Sequence, residues 1–228
     1  MRGLLPLVAV LSALGAASGE AAPLTLRTAG CTALFSRGAL VSLKDAQGRF
    51  LVNGQSGVPG MAIYRIAAEH RAAAEVGPAG RISAFTDLPG AEALFTARAD
   101  GQTGDVLVEQ SAMSPEKGVW GVGWAVDGIP LRTNLLVPAH SGLRLSSASP
   151  GKAFTFDYPM GWEAQLVVAE GKGAGFAVWA EDATCRFKRL VVLRGEKSWR
   201  LEFITLNEAP FDALQSCRSV RWRVSLYR

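Results

Sequence analysis

The chain has 228 residues, of which 49% are hydrophobic and 19% charged, with a formal net charge of +4. That length and apolar content suffice for one large domain with a real core. The basic residues are dispersed rather than gathered into a nucleic-acid footprint, and two histidines without any Cys-x-x-Cys pair argue against a zinc site.

Arg2 opens the chain with a positive charge, residues 4–17 are apolar but too short to span a bilayer, and small residues from Ala13 through Ala22 offer cleavage points. Residues 1–22 therefore read as a secretory leader, with a secreted or periplasmic product. The remainder, 23–228, reads as a single domain without linker, repeat or membrane span.

Beyond the leader, short apolar runs recur at 40–43, 49–52, 61–66, 81–85, 93–97, 106–110, 119–126, 131–137, 143–146 and 153–156. They resume at 189–193 and 199–205, and turn signals such as Asp-Gly, Asn-Gly and Pro-Gly separate them. Many short strands at this spacing predict an all-β, two-layer antiparallel β-sandwich. The alanine-rich stretch 67–76 reads as strand running into loop. Residues 207–217, with Pro210 near the start and Phe211, Leu214 and Cys217 at helical spacing, predict one short helix. At the C-terminus Val220, Trp222, Val224 and Leu226 alternate with Arg221 and Arg223, which predicts a strand with arginines on its solvated face. Of the three cysteines, Cys185 and Cys217 are the preferred disulfide, with three reduced thiols as the alternative.

Between residues 154 and 190 two strand-like runs, Ala164 to Ala169 and Phe176 to Trp179, flank Glu170-Gly-Lys-Gly-Ala-Gly175. This is a hairpin turn rich in residues that tolerate positive φ. The glycines superficially match a phosphate loop, but such a loop needs a helix N-terminus after it, whereas here a strand follows. No Gly-x-Ser-x-Gly elbow is present.

The order Tyr158-Pro159, hairpin, apolar strand, Asp182, five residues, Lys188 resembles the N-terminal galactose-mutarotase-like β-sandwich of bacterial glycoside-hydrolase-like proteins. Two further segments share the resemblance. Residues 36–51, a strand, an Asp-x-x-Gly turn and a second strand, look like the opening hairpin of such domains, and 219–227 looks like their closing strand. The resemblance implies a supersandwich that precedes a TIM barrel, with the catalytic acids on the barrel and no cofactor. It names a carbohydrate and a barrel-bearing catalytic domain as partners.

Sugar contact calls for aromatic rings that cover the apolar face of a pyranose, with polar groups beside them. Trp162, in a Met-Gly-Trp-Glu loop after Tyr158-Pro159, and Trp179, two residues before Glu181-Asp182, fit that requirement. Tyr158, Trp162, Trp179 and Asp182 are the expected carbohydrate-binding residues, with core packing as the alternative for Trp179. Trp120, Trp124, Trp199 and Trp222 read as core.

Mutarotase chemistry would need a histidine acid and a carboxylate base within hydrogen-bond reach of the sugar. Only His70 and His140 could supply the acid, and neither sits in a motif of that kind. Glycosidase chemistry would need two facing carboxylates from among Glu163, Glu170, Glu181, Asp182 and Glu202, which sequence does not pair. The leading reading is an exported, non-catalytic carbohydrate-binding or barrel-docking module. A stand-alone epimerase and a protein-interaction sandwich are the alternatives.

Overall fold

The computed structural model describes residues 23–54, 57–76 and 80–227, so the expected leader at 1–22 lies outside the described residues. The strands form two sheets. One has ten strands in the order β1 (Leu24–Arg27), β2 (Cys31–Ser36), β3 (Ala39–Asp45), β10 (Val119–Pro130), β17 (Ser198–Leu206), β16 (Lys188–Arg194) and β13 (Ala153–Tyr158). To it are added β4 (Phe50–Asn53) on β3, and β5 (Ala62–Arg65) with β6 (Glu69–Arg71) beside β10.

The other has nine strands in the order β12 (Leu143–Leu145), β11 (Asn134–Val137), β14 (Leu166–Glu170), β15 (Gly175–Glu181), β19 (Arg221–Tyr227), β9 (Val106–Met113), β8 (Glu92–Ala99) and β7 (Arg81–Ile82), with β18 (Ser216–Arg218) also on β9. Pairing is antiparallel except between β3 and β10. The predicted all-β sandwich is the observed fold, and the hairpins and closing strand expected from sequence are β3–β4, β14–β15 and β19.

The two sheets meet through period-two alternation. In β19, Trp222 and Val224 are buried while Arg221, Arg223 and Ser225 turn outward. The core is organised by a chain of aromatic rings across the sheet interface. Trp124 on β10 stacks on Phe203 of β17 at 5.2 Å, Phe203 meets Trp222 of β19 at 5.1 Å, and Trp222 stacks on Trp162 at 6.3 Å. Such ring pairs add roughly 0.5–1.5 kcal/mol each beyond area burial.

Gly128 sits at the β-bulge of β10, with φ of 97°. A Cβ there would lie 2.2 Å from the Gly54 nitrogen, so only glycine lets the segment after β4 cross β10.

Two expectations are corrected. Rather than a helix, residues 207–215 form loop and turn, and 216–217 enter strand β18. The Asn207 side chain donates to the Val119 and Ser216 carbonyls, and Cys217 pairs with Ala112 in a sheet ladder. Backbone partners offered by β9 thus override the helical spacing of three apolar side chains. The Cys185–Cys217 disulfide is not formed either, because Cys31 and Cys217 are buried free thiols and Cys185 is an exposed one. Cys217 points into the sandwich, with Sγ 3.6 Å from the Thr205 carbonyl, while Cys185 stands on a surface turn.

Candidate functional site

β15 carries Ala177 and Trp179 on the outer face of the nine-stranded sheet. Register sets Trp179 between Leu166 of β14 and Arg223 of β19, and Ala177 between Val168 and Ser225. The indole Nε1–H of Trp179 donates to Ser225 Oγ at 3.1 Å, and the Arg223 guanidinium lies 5.5 Å from the ring centroid. Arg223 is itself held by Asp100 at 2.6 Å, by Asp105 at 3.0 Å and by Glu181. The arginine expected on a solvated strand face is therefore a clamp that fixes the half-buried Trp179 ring.

Tyr158 ends β13, at the edge of the other sheet, and the chain then crosses to β14. The crossing is closed by its own backbone: Gly161 and Trp162 both donate to the Asp157 carbonyl, at 2.7 and 3.0 Å. The result is a groove of about 560 Å³ lined by Tyr158, Glu163, Ala164, Gln165, Leu166, Ala177, Trp179 and Ala180. Past Leu166 lies an apolar trough of about 390 Å³ between Leu136, Pro138, Leu143 and Val168.

Of the four expected residues, Tyr158 and Trp179 share this groove, whereas Trp162 and Asp182 do not line it. Trp162 is fully buried, stacked on Trp222, with its indole N–H donating to the Leu166 carbonyl at 2.9 Å. No ring face is left for a ligand. Its burial instead closes the loop that presents Glu163 and Gln165.

Asp182 is likewise interior. Its carboxylate accepts from the fully buried Lys188 Nζ at 2.6 Å, from the Thr184 hydroxyl at 2.6 Å and from the Arg186 amide at 2.8 Å. Burial alone would raise the Asp182 carboxyl, but the Lys188 and Thr184 donors outweigh it and hold it at about 2. Burial also pulls the Lys188 ammonium below its usual range, against the opposing pull of Asp182; the 2.6 Å contact is that of a close ion pair.

Asp182 reaches the groove only through its backbone. Its carbonyl accepts from Gln165 Nε2 at 3.1 Å, and the same amide nitrogen lies 3.4 Å from the Tyr158 hydroxyl. The neighbouring Cys185 thiol, together with burial, raises the phenol above its ordinary value. Gln165 is the groove residue that sequence reading missed; its only signal is its place in the loop beside Trp162, where the resemblance carries no motif.

Neither histidine lines the groove. His70 is buried on β6, with Nδ1 3.1 Å from Asp87 Oδ2 but without hydrogen-bond alignment. His140 is exposed in the turn that the Ser141 amide fastens to Glu163 at 3.1 Å. Trp120, expected in the core, packs on Tyr64 at 5.1 Å on the outer face of the ten-stranded sheet. Among the described residues no group of three or more His, Cys, Asp or Glu is arranged to hold a metal, and no helix is long and apolar enough to cross a membrane.

The fold is a large two-sheet sandwich of the kind found within glycoside hydrolases. It superimposes on part of the α-N-acetylgalactosaminidase NagBb from Bifidobacterium bifidum in complex with GalNAc, with a TM-score of 0.61 and 13% identity over 90% of this chain. The same enzyme with Gal-NHAc-DNJ gives 0.58, and an α-galactosidase from Lactobacillus brevis gives 0.47 at 9% identity. This chain spans 36% of the length of NagBb and 39% of the α-galactosidase. No protein-family model and no curated protein matches the sequence.

Proposed function

We propose that this chain is an exported, non-catalytic sandwich that binds a carbohydrate in the groove between Tyr158 and Trp179 and works beside a barrel-bearing catalytic partner. The observation that carries the reading is the convergence, in one groove, of a clamped indole, a phenol, a carboxylate and an amide. Trp179 supplies a flat apolar surface for a pyranose face, and the exposed Glu163 carboxylate supplies acceptors for its hydroxyls, while Gln165 braces the groove through the Asp182 carbonyl and the Tyr158 hydroxyl. The apolar trough past Leu166 gives a longer glycan somewhere to continue.

Fold likeness to NagBb, in a structure that holds GalNAc, supports a sugar as the ligand. That this chain spans only 36% of that enzyme supports a partner that supplies the chemistry. The apolar, small-residue N-terminus supports export to the periplasm or beyond.

Shallow wet sites of this kind bind in the range of about 1 μM to 1 mM or weaker. Titration with GalNAc and galactose, followed by tryptophan fluorescence and by NMR, should saturate in the wild type and be lost in Trp179→Ala. A flat titration at millimolar sugar, or unchanged binding in Trp179→Ala, would rule the groove out.

A further inference from the structure

At the turn end of the β14–β15 hairpin, away from Trp179, lies a separate pocket of about 360 Å³. Gly173 carries a φ of 76° and turns the chain there, and a Cβ on it would come within 3.8 Å of Arg49 Nη1. The β3–β4 hairpin thus brings Arg49 and Phe50 against the glycine turn, while the turn after β10 brings Arg132 and Thr133 to the same space.

Three cations, Arg49, Arg132 and Lys172, line this pocket, and no carboxylate does so among the described residues. Arg49 spends its Nε on the buried Asp45 at 2.7 Å, which fixes the guanidinium while its outer nitrogens face the turn. Arg132 and Lys172 are exposed and in no ion pair among the described residues. A fourth cation, Lys44, lies 4.3 Å from the centroid of the Phe50 ring. Arg132 and Lys172, without counterions of their own beside the paired Arg49, repel one another, and an anion seated between them relieves that repulsion.

The rest of the lining decides what kind of anion. Phe50 is 41% exposed, a large ring left at the mouth, and Leu51 and Phe176 make apolar wall. A bare inorganic anion would gain nothing from these surfaces. A pyranose ring presents C–H groups to an aromatic face, the volume is near the small end of ligand pockets, about 300–1,000 Å³, and a guanidinium matches a carboxylate in two parallel hydrogen bonds.

We propose that this pocket binds an acidic sugar, its ring against Phe50 and its anionic group between Arg49, Arg132 and Lys172. The site is independent of the Trp179 groove. It gives the chain a second point of attachment, selective for charged saccharides.

The test is titration of the full chain with D-glucuronate, D-galactose and inorganic phosphate, read as amide shifts by NMR. Glucuronate should move the 171–174 and Arg132 amides with an affinity on the order of millimolar, weakening as salt rises. Galactose should leave those amides in place. The double variant Arg132→Ser with Lys172→Ser, at two exposed positions, should weaken glucuronate at least tenfold, and Trp179→Ala should not change it. The proposal falls if galactose matches glucuronate at these amides, if phosphate binds as tightly as glucuronate, or if the folded double variant binds glucuronate unchanged. Loss of neutral-sugar binding in Trp179→Ala alone bears on the groove and leaves this pocket standing.

Discussion

The two sheets treat their outer faces in opposite ways. On the ten-stranded sheet, Arg200 and Glu202 of β17 point outward yet are buried, beneath the segment that leads to β5. Arg200 Nε donates to Glu202 at 2.7 Å and Nη1 to Asp127 at 3.1 Å, and Nη2 donates to the Pro59 carbonyl at 2.8 Å. Arg71 from β6 adds a second guanidinium on Glu202 at 3.1 Å. The chain covers this face itself and satisfies the charges internally. On the nine-stranded sheet, Arg223 is clamped by three carboxylates, two from the β8–β9 turn and one from the end of β15, but the ring that it orients, Trp179, stays accessible along a groove. Charge networks of similar composition thus seal one face and hold the other open. The open one is where a ligand can reach.

The sharpest test of that contrast is to break the sealed network. Glu202→Ala leaves the buried Arg200 and the half-buried Arg71 without their shared carboxylate and should cost about 3–5 kcal/mol of stability by urea unfolding. A loss below about 1 kcal/mol would mean that water already shares this network.

Truncation of the two tryptophans separates core from groove. Trp162→Ala removes a fully buried ring and should destabilise by about 3–5 kcal/mol, whereas the half-buried Trp179→Ala should cost appreciably less while abolishing sugar binding. Equal destabilisation by both would undo the distinction between core and site.

Acid should act on the loop that supports the groove. The Asp182 carboxyl sits at about 2 in the folded chain, below its unfolded value near 3.9. The ion pair therefore stabilises the fold above the unfolded value, and that contribution is lost as pH falls from about 4 to about 2. Thermal melts should show the gap between wild type and Asp182→Asn narrowing over that window. A constant gap would remove Asp182 ionisation from the account.

The smallest effect concerns the interior. Gln110 is 2% exposed, and its side-chain amide has no hydrogen-bond partner among the described residues, as is also true of the indole nitrogens of Trp124 and Trp222. Gln110→Leu should raise stability by about 1 kcal/mol in thermal or urea unfolding, because a buried unpaired amide costs about 1–3 kcal/mol. Destabilisation would mean that the amide is satisfied in solution.

Strand periodicity is a local property, written residue by residue, and for that reason the sandwich was legible in the chain alone. Alternation in 219–227 names β19 and the faces of its side chains, and the glycine turn at 171–175 names the β14–β15 hairpin. The site was half legible. Trp179 lies in a run, 176–180, that is apolar throughout, so sequence left it open between site and core, and the register with β14 and β19 turned it outward. Trp162 lies in a loop, where no periodicity says which way a ring turns, and only the seat beside Trp222 decided that it is core.

Asp182 and Lys188 are separated by five residues, and nothing in that spacing says that the two pair or that both side chains are interior. The helix expected at 207–217 was lost to backbone partners on β9, a strand about a hundred residues earlier in the chain. Local pattern determines which residues form strands and which way they face. Where loops close, which charges are buried, and which grooves stay open depend on contacts between distant segments, whose energies appear only when the sheets are packed together.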